Sequence, residues 1–228
     1  MATVDTSSHP ASSSISTPPP LAPQFDDLDQ QRETASLGMW AFLATELMFF
    51  GGLFVAYSVY RNLDFPAFSA ASRRLNLTLG GINTAVLLTS SLTMALAVRA
   101  SRTDRRDRLL GFLAATMALG TLFLAIKSFE YFDDWRHDLI PGAGFVFNAP
   151  LRASAELFFL LYFLMTGLHA FHMVVGLAIV GTITVLAYRR RNVGEGETRV
   201  EMVGLYWHFI DLVWIFLYPL LYLVDAHR

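Results

Sequence analysis

The chain has 228 residues, 54% of them hydrophobic, 14% aromatic and only 16% charged, whereas a typical soluble domain carries roughly 45–50% apolar and about 25% charged residues. That balance, with a mean hydropathy of +0.44, excludes an ordinary soluble domain and a chain disordered throughout, and a net charge of -2 excludes a nucleic-acid binder held by a basic surface. With no cysteine in the sequence, disulfide frameworks, thiolate metal sites and cysteine nucleophiles are all removed.

Residues 1–33 differ from the rest. The first 20 hold six Ser and four Pro and no Lys or Arg, and the acidic residues Asp26, Asp27, Asp29 and Glu33 follow. This composition predicts a solvated, disordered tail. No apolar run precedes Leu37, so neither a secretory signal nor an Arg-rich transit peptide is expected.

Five apolar segments follow, near 35–60, 76–98, 109–131, 154–188 and 203–224. Crossing the hydrocarbon core takes about 20 apolar residues at 1.5 Å each, and none of the five alternates as a barrel strand would. The expected fold is all-α, an integral membrane bundle of five transmembrane helices. The fourth segment is overlong and should tilt or project. Pro219 should kink the fifth near its end. Gly51, Gly52, Gly80, Gly81 and Gly176, with the hydroxyls of Thr84, Thr89, Ser90, Ser91 and Thr93, suit close helix packing. Tyr206, Trp207, Tyr218 and Tyr222 are placed to anchor the last helix at the two interfaces. Loop and tail arginines number ten on the N-terminal side and six on the other. The positive-inside rule therefore puts the N-terminus in the cytoplasm and the C-terminus outside.

Charges at membrane depth cost several kcal/mol, about 2.5–3.5 kcal/mol for Asp or Arg on insertion scales, so each ionisable residue inside a span requires an explanation. Glu46 has apolar helical neighbours in Phe42, Leu43, Phe49 and Phe50 and must stay protonated or find a donor on another helix. A proton-relay or lipid-headgroup role and a structural hydrogen bond both fit. His169 and His172 share one face of the fourth helix, and the depth of Glu46 predicts a Glu46–His172 or Glu46–His169 hydrogen bond. A metal held by His169, His172, His208 and Glu46, or a haem held by two of the histidines, is the sharper alternative, although the spacing is not specific. Lys127 is expected to pair with Glu130 or Glu156. His208 and Asp211, at i, i+3, could form a pair or bond separately to other helices.

Five stretches in order then carry a resemblance: TELMFFGGLFVAY around Glu46, INTAVLLTSS from Ile82, KSFEYF from Lys127, TGLHAFHMVVG from Thr166 and YWHFIDLVWIFLYPLLY from Tyr206. Together they resemble subunit III of the haem–copper cytochrome c oxidases, in a short five-helix bacterial form that matches the last five of the seven helices of longer versions. The resemblance implies a chain with no redox centre and no active site of its own, acting within an oxidase that transfers electrons to O2 and moves protons. It implies haem and copper in partner subunits, packing beside subunit I, the company of subunit II, bound phospholipid, and a place in the bacterial plasma membrane. It puts Glu46 on the family's buried, carbodiimide-reactive carboxylate and Glu130, His169, His172, His208 and Asp211 on recurring positions. Quinol oxidases and nitric oxide reductase clusters use similar subunits. From the residues alone, a small transporter or proton channel built around Glu46 and the histidines is the rival of another class.

Overall fold

The structure is a computed structural model that describes residues 24–103, 105–142, 144–189 and 197–223. Helices account for nearly all of them: α1 (Leu28–Leu63), α2 (Phe65–Ser72), α3 (Leu77–Arg102), α4 (Arg106–Arg136), α5 (Arg152–Arg189) and α6 (Glu197–Tyr222), with a single 3-10 turn at Ala149–Leu151 before α5. Five of these, all but α2, are long and apolar enough to cross a membrane, which makes the chain a multi-pass membrane protein. At 1.5 Å per residue, the 38 residues of α5 extend well past a hydrocarbon core about 30 Å thick.

Successive spans alternate in direction, as cross-contacts at both ends show. At the N-terminal end of the bundle, Arg102 at the close of α3 pairs with Glu201 at the start of α6, Nη2 to Oε1 at 2.6 Å. Nearby, Arg106 at the start of α4 donates to the Ala187 and Tyr188 carbonyls at the end of α5. At the opposite end, Ser72 of α2 donates to the carbonyl of Leu221 in α6 at 2.8 Å.

The acidic stretch expected to belong to the disordered tail is partly helical. The Asp27 carboxylate accepts from the Gln30 amide at 2.6 Å and caps α1, with Asp29 in the first turn. Carboxylates here satisfy free N–H groups and face the positive end of the helix dipole, so composition alone misplaced them. Residues 1–23, where the rest of that tail expectation falls, lie outside the described residues. The short helix α2 was also not anticipated. Asp64 ends α1 and begins α2, accepting from the Ala67 amide, and Pro66 occupies the first turn, where a missing N–H costs nothing. Its Phe68 stacks edge-on with Phe158 of α5 at 5.6 Å and with Tyr57 of α1 at 5.5 Å.

Helix α6 is the hub of the bundle. Of its most apolar 18-residue window 61% is buried, against 11% for α1, which lies at the periphery. Glycines set its distance from its neighbours. A Cβ at Gly80 of α3 would come within 2.8 Å of Tyr218, one at Gly120 of α4 within 2.9 Å of Trp207, and one at Gly204 within 2.8 Å of Val98. Gly176 likewise faces Trp207 and Ile210 side chains rather than another backbone, and Gly51 and Gly52 have no neighbour within 4 Å, so these two are not packing glycines within the chain. Trp207, Tyr206 and Tyr222 are likewise core residues, 0%, 5% and 5% exposed, not interfacial anchors. Pro219 lies inside α6, which continues to Tyr222.

Candidate functional site

Glu46 and His172 meet between α1 and α5, with His172 Nε2 at 3.2 Å from Glu46 Oε2. His172 Nδ1 lies 2.8 Å from the Leu168 carbonyl, which can only accept, so Nδ1 carries a proton. Nε2 then either accepts from a neutral carboxyl or, in the imidazolium, donates to a carboxylate. The Tyr206 hydroxyl donates to the His172 carbonyl from α6, and the Phe50 ring meets the imidazole edge-on at 5.4 Å. The two side chains keep 19% and 13% exposure, so the pair reaches the lateral surface of the bundle.

His169, the other partner considered for Glu46, is turned inward. It is fully buried, neither ring nitrogen bonds to the protein, and its ring lies against Phe123 at 5.5 Å and Trp214 at 5.2 Å.

Lys127 pairs with Glu130, Nζ to Oε2 at 3.1 Å, with both side chains buried. The ammonium has three N–H donors, and the other two are taken by Tyr222 Oη at 2.7 Å and Tyr162 Oη at 2.9 Å. Both hydroxyls in turn donate to Glu130 Oε1, at 2.6 and 3.3 Å. The rings of Tyr131, Tyr162, Trp214 and Tyr222 surround the nitrogen at 4.6–5.5 Å from their centroids. Charge, hydrogen bonds and ring quadrupoles together offset the desolvation of a buried ammonium. The cage joins α4, α5 and α6. The sequence offered only the Lys127–Glu130 spacing, because the tyrosines come from distant helices. Glu156 does not join: its carboxylate accepts from the Gly142 amide at 2.9 Å and holds the loop before α5.

His208 and Asp211 do not bond to each other. His208 Nδ1 meets the Ser91 hydroxyl of α3 at 2.7 Å. Asp211 is 3% exposed, and among the described residues the Ser91 hydroxyl is the polar group beside its carboxyl. Of the four residues considered together as metal ligands, Glu46 and His172 meet, while His169 and His208 face other neighbours. Among the described residues no three His, Asp or Glu side chains gather as a metal-binding group.

Two pockets open beside this region. An apolar one of about 390 Å³ lies between α1 and α6, lined by Trp40, Leu43, Leu47, Phe209 and Leu212 with His208 at its edge. A more polar one of about 660 Å³ adjoins it at the end of the bundle, with Arg99, Arg102, Glu201 and again His208 in its wall.

The sequence model of the family described as Cytochrome c oxidase subunit III matches residues 29–226. The chain belongs to the cytochrome c oxidase subunit III family. Among its relatives, the Cytochrome c oxidase subunit 3 of Synechocystis sp. is 33% identical over 192 residues, covering 82% of this chain and 74% of that one. The Cytochrome bo(3) ubiquinol oxidase subunit 3 of Pseudomonas putida is 29% identical, over 83% of this chain and 86% of the relative. The Heme-copper oxidase subunit I+III of Aeropyrum pernix is 29% identical over 82% of this chain and 22% of its own length. As a subunit III, the chain is part of a haem–copper terminal oxidase and associates with the core of that complex. The family match spans all five membrane-crossing helices and every buried polar group described above.

Proposed function

We propose that this subunit III performs no redox step and supports an oxidase that passes electrons from cytochrome c to O2 and translocates protons. Haem and copper are then held by subunit I and by a copper-bearing subunit II, and this chain packs laterally against subunit I in a bacterial plasma membrane. The observation that carries the proposal is how the buried polar groups are used. Glu46 is joined to His172, and Lys127 to Glu130 and two tyrosines. Both arrangements give ionisable side chains partners within the chain and tie helices together, as a scaffold within lipid requires.

Two further features support this reading. The apolar pocket between α1 and α6 has the lining that an acyl chain takes, and Arg99 in the adjoining pocket suits a phosphate headgroup. The arginines at the N-terminal end of the bundle support placing that end in the cytoplasm. The test is purification of the complex through a tag on this chain. Co-purification of haem–copper subunits, with O2 reduction driven by reduced cytochrome c, is expected. Activity with quinol alone would move the chain to a quinol oxidase. Proton or solute flux by the isolated chain in vesicles would favour the transporter reading.

A further inference from the structure

Among the described residues, Asn83 on α3 and His169 on α5 have no hydrogen-bond partner for any side-chain polar atom, and Asp211 on α6 has only the Ser91 hydroxyl beside its carboxyl group. They are 0%, 0% and 3% exposed. Their helices meet at Trp214. Its ring lies 5.2 Å from that of His169, and its indole N–H donates to Thr84, the residue after Asn83. Asp211 stands one helical turn before it on α6. Phe123 closes the layer from α4, 4.8 Å from Trp214. Beyond that wall stands Lys127, 5.5 Å from the Trp214 ring, with its three donors already occupied by Glu130, Tyr162 and Tyr222.

A buried polar group left unsatisfied costs about 1–3 kcal/mol, and protein interiors meet such groups with internal water that makes about three hydrogen bonds. A polar line leads outward from this layer. Ser91 lies beside Asp211 and bonds to His208. His208 stands in the wall of the polar pocket with Arg99 and Glu201. We infer that this line is hydrated: water reaches Asp211, His169 and Asn83 from that pocket and is bound there, in an inlet closed at Trp214 and the Lys127 cage. The inlet opens on one side of the membrane only, so it exchanges water and protons with that side without conducting across the bundle.

Hydroxyl-radical footprinting of the intact oxidase complex tests this, because radicals formed from bound water oxidise the side chains beside it even when they are buried. Trp207 is the internal control: it is as buried as Trp214, but its indole N–H is bonded to Ser90 and its ring packs against Gly120 and Gly176. Trp214 and His169 are expected to oxidise several-fold faster than Trp207. Ser91→Val should lower labelling at Trp214, whereas Asp211→Asn, which keeps two polar atoms at the site, should retain it. Labelling of Trp214 as slow as that of Trp207 would overturn the inference, and so would labelling indifferent to Ser91→Val. The readout is independent of activity, so its failure leaves the supporting role standing.

Discussion

The Lys127 cage and the Glu46–His172 pair both join membrane helices through ionisable side chains, yet they differ in closure. Every donor of Lys127 and both oxygens of Glu130 are matched inside the chain, and both side chains are under 5% exposed. The Glu46–His172 pair is matched once and keeps 19% and 13% of its surface open at the edge of the bundle. A closed arrangement of this kind fixes the relative positions of α4, α5 and α6 and has nothing left to offer a partner. A half-open pair joins α1, the least buried of the five spans, to the rest and still leaves part of its polar surface open to whatever packs outside.

Breaking the cage should have the largest effect. Removing one partner of a buried ion pair destabilises by about 3–5 kcal/mol because the other charge is stranded. Lys127→Met should therefore sharply lower the recovery of folded subunit in the assembled complex, and Lys127→Met with Glu130→Leu should recover part of that loss. Thermal denaturation of the purified complex, followed by dissociation of this subunit, measures both.

Close approaches to α6 come next. Overpacking costs typically about 1–3 kcal/mol. Gly120→Ala, which sets a methyl against Trp207, should lower the dissociation temperature of the subunit. Gly52→Ala faces no neighbour within the chain and should leave the stability of the isolated subunit within about 0.5 kcal/mol of wild type. A large effect of Gly52→Ala confined to the assembled complex would show instead that this face of α1 meets a partner.

A small stability effect is expected at the open pair. Polar pairs between membrane helices average about 0.6 kcal/mol in double-mutant cycles. Glu46→Ala and His172→Ala should each be mild, and together they should cost less than the sum of the two. Fully additive losses would contradict the pairing.

Much of this organisation was legible in the sequence, and what escaped has identifiable causes. Hydropathy placed all five spans because each must cover the same hydrocarbon thickness. The i, i+3 spacing of Lys127 and Glu130 sets both on one helix face, and the common depth of Glu46 and His172 sets them level on two helices; both pairs are in contact. Tyr162 and Tyr222 were missed as cage members, since nothing in spacing relates residues on separate helices. Glu156, the alternative partner for Lys127 at the same end of the bundle, instead accepts from the Gly142 amide in the preceding loop. Helix α2 is only eight residues long, too short for a periodic signal, and is held by burial against α5. Trp207 and Tyr222 resembled interfacial anchors because their positions near helix ends are the same whether they face lipid or core.

The most direct measurement is O2 reduction by the assembled complex carrying Glu46→Ala, followed from the first turnovers onward. A supporting role predicts an initial rate close to wild type, with weaker retention of lipid or of the subunit and earlier loss of activity during sustained turnover. Immediate and complete loss of O2 reduction, in a complex that still contains every subunit, would contradict it.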